Sequence, residues 1–164
     1  MMFGIGTSIV KLRVPFVEES VEEKMLYAFK AELGNSQTAV NNTYSLAQFS
    51  SEIYDYGSYY DNSDSNYKWT PPEGLVILTF MAECSNTNAN GFLISIYKNG
   101  SEIGRSMCRD ADSSNNKSIA LAVSDVADGD DYYQAYIWRN DGTGQINAQP
   151  GGSVFSGLWL GEVE

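Results

Sequence analysis

The sequence predicts a single all-β domain, a sandwich or barrel-like roll, and three observations carry that reading. Apolar runs of strand length recur from Phe29 to the end of the chain, spaced by Asn, Ser, Asp and Gly. Asn99-Gly100 stands between two alternating runs, and because both residues tolerate positive φ the pair marks a type I′ hairpin turn. Aromatic residues make up 13% of the chain, with eleven tyrosines, against 19% charged, a balance that suits pleated, half-buried surfaces and not a disordered chain. No strand–helix–strand alternation is present, so a parallel α/β sheet is not expected. A length of 164 residues is enough for one real core with a short appendage.

The elements follow in order. Residues 1–28 read as an N-terminal arm. Phe3, Ile5, Ile9, Val10, Leu12 and Val14 give it a loosely alternating apolar character suited to an anchor. Glu18 to Phe29 has helix formers behind Pro15, with Val17, Val21, Met25 and Leu26 near helical spacing, so a short helix or a linker is expected there. It supplies barely two heptads, too few for an independent coiled coil. The head spans residues 29–164. Phe29 to Leu33 reads as its first strand, Leu46 to Tyr56 alternates loosely, and a polar loop rich in Tyr, Asp, Asn and Ser runs from Asp55 to Asn66. The run Leu75-Val-Ile-Leu-Thr-Phe-Met-Ala is too apolar for a surface strand and reads as a central one covered on both faces. Phe92 to Gly104 is the hairpin, and Lys117–Val123, Tyr132–Arg139 and Ser153–Leu160 complete the strands. Asp128-Gly129 and Asp141-Gly142 mark turns between them.

Charge and residue inventory exclude much chemistry. The net charge of −11 argues against nucleic acid and anionic membranes, which are held by clustered Lys and Arg. No apolar run approaches a membrane span, and Met1 to Val10 lacks the basic start and cleavage site of a signal peptide, so it is read as part of the working protein. Histidine is absent, which removes His-based triads and HExxH zinc sites. No glycine-rich phosphate loop is present. Cys84 and Cys108 have no CxxC spacing; one bridge between adjacent strands and two buried thiols both remain open. Asp128, Asp130 and Asp131 around Gly129, and the pair Asp110 and Asp112, are the carboxylate clusters that calcium binding or glycoside hydrolysis would use. Ordinary solvated turn residues account for them more simply, and no cofactor or metal is expected.

Four pieces then fall in a familiar order. Trp69-Thr-Pro-Pro-Glu-Gly-Leu-Val resembles the opening signature of the complement-one-q and tumour-necrosis-factor jelly-roll superfamily. Ile94 to Gly100 is similar to its aliphatic strand and Lys-Asn-Gly hairpin. Val126-Ala-Asp-Gly-Asp-Asp-Tyr-Tyr resembles its Gly-Asp turn into a strand, and Phe155-Ser-Gly-Leu-Trp-Leu its closing strand. The resemblance covers roughly residues 29–163, and lacks the collagen stalk of animal relatives. With the stretches Ala31 to Gly34 and Ser51 to Asp61, it looks more like the microbial and bacteriophage versions. It implies a jelly-roll β-sandwich, homotrimeric, in a non-enzymatic virion structural protein: a head fibre or capsid decoration displayed on the particle exterior after assembly in the host cytoplasm. Its partners would be itself and virion proteins such as the major capsid or portal and tail proteins. The alternative is a receptor- or glycan-binding tail-fibre tip meeting a host surface glycan or protein; a carbohydrate-active enzyme ranks below both.

Two sets of residues are singled out within the head. On Tyr132 to Trp138 one face carries Tyr133, Ala135 and Ile137, suited to a core, and the other carries Tyr132, Gln134, Tyr136 and Trp138. Aromatics with a polar handle on that second face suit a contact between subunits, joined by Phe155; loops of the same chain laid over it would satisfy the pattern equally. Tyr54, Tyr56, Tyr59 and Tyr60 form a Tyr-, Ser- and Asn-rich stretch with the composition of a binding loop, or of a loop whose tyrosines pack locally.

Overall fold

The structure is a computed structural model of the chain, describing residues 26–63, 65–85, 91–108, 117–140 and 144–163. The described residues form thirteen strands and no helix. One antiparallel sheet takes β1 (Ala28–Glu32), β2 (Gln37–Ala39), β4 (Ser51–Tyr56), β7 (Gly74–Ser85), β10 (Lys117–Ala127), β12 (Gly144–Ile146) and β13 (Val154–Gly161). The other takes β3 (Ser45–Leu46), β5 (Tyr60–Asp61), β6 (Lys68–Trp69), β8 (Phe92–Lys98), β9 (Ser101–Cys108) and β11 (Tyr133–Arg139). In the larger sheet the order is β10-β7-β13-β1-β4, with β12 and β2 continuing from the far end of β7. In the smaller it is β5-β6-β11-β8-β9, with β3 beside β11.

The two sheets close on a core that alternation along each strand dictates. Val76, Leu78, Phe80, Ala82 and Cys84 of β7 point inward, as do Phe92, Ile94 and Ile96 of β8 and Tyr133, Ala135 and Ile137 of β11. Phe29 is the hub at one end, with ring centroids 4.5 Å from Tyr60, 5.2 Å from Trp69 and 5.0 Å from Phe155. This packing explains a glycine. A Cβ at position 157 would come within 2.7 Å of both Phe29 Cε1 and the Trp69 ring, so β13 must present bare backbone there. The first and last of the four signature segments thus meet face to face in the core.

The other two meet as well. Asn99 and Gly100 take φ of 50° and 78°, the left-handed pair expected of the hairpin turn. Asn99 then docks this tip on the turn after β10: its Nδ2 donates to Asp131 Oδ1 at 2.6 Å and its Oδ1 accepts the Tyr132 N–H at 2.9 Å. Lys98 adds ion pairs to Asp131 (2.7 Å) and Asp125 (2.9 Å) and donates to the Val126 carbonyl at 2.8 Å.

Two expectations are corrected. The helical reading of Glu18 to Phe29 fails in its described part, because Ala28 and Phe29 open β1 and pair with Leu158 and Gly157. Long-range pairing that buries Phe29 and Ala31 outweighs local helix propensity there. Residues 18–25 of that segment, like anchor residues Phe3, Ile5, Ile9, Val10, Leu12 and Val14, lie outside the described residues, as do Asp110, Asp112 and the Asp141-Gly142 turn. The second correction concerns β7, which is central but, among the described residues, covered on one face only. Its inward residues are fully buried, while Ile77, Thr79 and Met81 are exposed on the opposite side.

Candidate functional site

The outer face of the larger sheet is the first candidate. Register aligns its rows: Ser124, Ile77, Leu158, Ala28 and Tyr56 run across the sheet in one, and Ala122, Thr79, Ser156, Lys30 and Tyr54 in the next. A third row brings Met81 between Ala120 and Val154. Ile77 (38%), Met81 (37%), Leu158 (37%) and Leu160 (47%) are all exposed there. The two hydroxyls in the middle, Thr79 Oγ1 and Ser156 Oγ, satisfy each other at 2.6 Å. Against the small side chains of β10 lies a depression of about 560 Å³, lined by Met81, Ala120, Ala122 and Val154 among others. Solvated single-chain sandwiches put polar residues on such a face; here apolar side chains alternate with Thr79, Ser156 and Ser124, and Lys30, which also lines the depression, is ion-paired with Glu32 at 3.2 Å.

The outer face of the smaller sheet is different in kind. Gln134, Tyr136 and Trp138 of β11 share it with Tyr97 of β8, and Tyr44 leans over from beside β3. Tyr97 and Tyr136 have centroids 4.4 Å apart, and Tyr44 lies 6.1 Å from Tyr97 and 6.2 Å from Trp138. Burial, then the neighbouring Glu102, Tyr44 and Tyr136, holds the Tyr97 hydroxyl above its ordinary value; burial followed by Tyr132 does the same for Tyr136. Both remain neutral donors across the physiological range.

The residues singled out from sequence are therefore divided among three environments. Tyr132, Tyr136 and Trp138 are half-buried, and Gln134 is nearly buried beneath the chain's own 66–68 segment: its Nε2 donates to the Asn66 carbonyl at 2.6 Å, and Lys68 Nζ lies 5.3 Å from the Tyr132 ring. Phe155 is a correction. It is fully buried between the sheets, in contact with Phe29, Phe49 and Phe80, and offers no surface to a second copy. The tyrosine stretch is not one loop. Tyr54 and Tyr56 stand exposed on β4 with rings 5.4 Å apart. Tyr59 packs edge-on against Tyr27 at 5.3 Å. Tyr60 enters the core, where its hydroxyl donates to the Phe49 carbonyl at 2.9 Å and burial pushes its pKa far up.

The carboxylates around Gly129 are turned to structural use. Asp128 Oδ1 accepts the N–H groups of Asp130 (3.0 Å) and Asp131 (2.9 Å), and Asp131 Oδ2 accepts that of Asp128 at 3.0 Å. Burial alone would raise Asp131 and Asp125, but hydrogen bonds and charge from Lys98, with Asn99 and Tyr133, hold both below the ordinary carboxylate value. Among the described residues no group of three or more Asp, Glu or Cys side chains could hold a metal ion. Cys84 lies on the larger sheet and Cys108 on the smaller; burial, then Cys108 and Glu83, pushes the Cys84 pKa up.

No protein-family profile and no curated protein sequence matches this chain. Solved structures do. The Eiger TNF of S. frugiperda superposes with a TM-score of 0.67 at 8% identity, covering 86% of this chain and 96% of that one. The globular domain of the zebrafish complement 1qA protein gives 0.64 at 11%, over 84% and 99%. The fold is the TNF and C1q jelly roll. The PRD1 vertex protein P5 shares it too, at a TM-score of 0.57 and 14% identity, over 82% of this chain and 97% of that one. At these identities the likeness speaks for the jelly-roll fold alone. Sequence reasoning missed the apolar outer face of β7 as a surface, although the run Leu75 to Ala82 carried the signal: it is apolar on both sides, and among the described residues one of those sides is left exposed.

Proposed function

We propose that the chain is a non-enzymatic virion structural protein of bacteriophage type, a head fibre or capsid decoration, whose jelly-roll head works as a homotrimer. The observation that carries this reading is the largely apolar face of β7, β10 and β13, which no other described residue covers. An apolar patch of this extent on a soluble domain marks a contact surface, and a second copy of the chain is the occupant argued for. Its small residues on β10, its self-satisfied Thr79–Ser156 pair and its shallow depression suit close packing of another sandwich. The jelly-roll fold, expected as a trimer from the sequence resemblance, and its likeness to a phage vertex protein support the same reading. The contact is thereby moved from the Tyr132–Trp138 face to the opposite sheet. The non-enzymatic reading rests on the carboxylates of this cluster being in structural use, Asp131 holding the hairpin tip and Asp128 closing its own turn.

In this proposal the head leaves the particle at β1 and residues 1–23 attach it to the major capsid, portal or tail proteins. Light scattering on the full chain should give three times the chain mass. Gold-labelled antibody should decorate the heads of particles, and a chain lacking residues 1–23 should stay trimeric without joining them. A monomer at high micromolar concentration, or full decoration by the truncated chain, would overturn the trimer and the anchor respectively. Label confined to the tail tip would favour the attachment reading, for which the exposed Tyr54–Tyr56 pair is the specific observation.

A further inference from the structure

We propose that the outer face of the smaller sheet is a binding site for a neutral glycan, with Tyr44, Tyr97, Tyr136 and Trp138 as the stacking platform and the adjoining groove around Gln37 and Gln48 as its hydrogen-bonding wall. The inference rests on the proposed function only in taking the larger sheet as the face turned inward, which leaves this one outward.

The platform is a continuous set of rings with neighbouring centroids 4.4 to 6.2 Å apart; Tyr97, Tyr136 and Trp138 are half-buried and Tyr44 is 39% exposed among the described residues. Ring faces carry the negative side of the aromatic quadrupole, which attracts the weakly positive C–H face of a pyranose. Phenol and indole edges meanwhile offer donors to its hydroxyls. Beside it, β3 separates the rings from a groove of about 430 Å³ lined by Gln37, Thr38, Ser45, Gln48, Ser65 and, at the junction, Leu46. Leu46 is paired with Tyr136 across β3 and β11, so groove and platform are contiguous. Gln37 is held rigid: its Nε2 donates to the Leu46 carbonyl at 2.7 Å and its Oε1 accepts the Gln48 N–H at 2.9 Å. A fixed planar amide loses little freedom on binding.

The charge pattern selects the ligand. The chain carries a net charge of −11, yet among the described residues none that lines this groove is charged, and next to the platform Glu102 pairs with Arg105 at 3.5 Å. The described residues of the groove offer a phosphorylated or cationic ligand no ion pair. A neutral polyhydroxylated ligand finds both of the features it needs, flat apolar faces and uncharged amides and hydroxyls. Two residues at the groove, Ser65 and Tyr67, hold positive φ of 75° and 38°, unusual for non-glycine backbone. Such conformations concentrate at binding sites, where packing over-determines them.

The test is an array of neutral hexose and N-acetylhexosamine oligosaccharides, read with the full-length chain, followed by titration of any hit in solution. Wild-type protein should bind neutral members. Tyr44→Ala and Trp138→Ala should each weaken the titrated affinity by roughly ten-fold, with oligomer mass and thermal midpoint unchanged for Tyr44→Ala, the more exposed of the two. Gln48→Ala should weaken it without touching the rings. Binding to no neutral glycan, binding only to charged ones, or affinity indifferent to both Tyr44→Ala and Gln48→Ala overturns the proposal. So does a platform whose Tyr44→Ala variant loses a protein partner but no glycan. A chain that is monomeric and still binds through these residues keeps this site and sinks only the trimer.

Discussion

Leu158→Asp is the sharpest probe of the apolar face. Leu158 sits on β13 directly opposite Ile77 on one side and Ala28 on the other, at the middle of the open sheet. It is 37% exposed, and since burying a whole leucine contributes about 1.5–3 kcal/mol, covering what remains contributes ~0.6–1.1 kcal/mol per copy. Three copies lose ~2–3 kcal/mol on substitution, a factor of roughly 30–150 in the association constant. A carboxylate forced into that contact without a partner costs several kcal/mol more. Within one chain the change touches an exposed position, where substitutions usually stay within ~0.5 kcal/mol. The expected outcome is a folded monomer: light scattering reports one chain mass where wild type reports three, and the thermal transition stays cooperative. A folded Leu158→Asp protein with wild-type mass at low micromolar concentration would refute the reasoning, because no trimer through this face tolerates three buried carboxylates.

Three further outcomes follow from the geometry. Gly157→Ala places a Cβ within 2.7 Å of Phe29 and Trp69; overpacking of this kind costs ~1–3 kcal/mol, and calorimetry should show the midpoint falling by roughly 2–4 °C for each kcal/mol. Tyr60→Ala should lose ~3–5 kcal/mol in denaturant unfolding, as a buried ring does, while exposed Tyr56→Ala stays within ~0.5 kcal/mol; equal effects would contradict their placement. Asp125 and Asp131 are depressed in the folded state, so their stabilisation is fully present above the unfolded value of about 3.9 and is lost as pH falls through the lower folded values. Asp131→Asn should cost ~2–3 kcal/mol at neutral pH and flatten the acid limb of stability measured below about pH 4.

The sequence was enough, taken alone, for the fold class, the Asn99-Gly100 turn and the inward face of β11, because these rest on local chemistry: period-two alternation and residues that accept positive φ. The four signature segments were legible for the same reason, as turn and strand patterns. Why they recur together was not, since Trp69 over Gly157 and Asn99 on Asp131 are contacts between segments far apart in the chain. The short strands β2, β3, β5, β6 and β12 left no periodicity to read; β3 and β6 pair with β11 and β12 with β7, and β5 and β2 extend the sheets from β6 and β12. Pattern alone also cannot say which apolar residue meets its own chain and which meets solvent. Phe155 and Tyr60 looked like surface candidates and proved to be core, while Ile77 and Met81 looked like core and proved to be surface. Residue type fixes how strongly a side chain avoids water, but only the sheet order decides whether anything in the same chain is there to cover it.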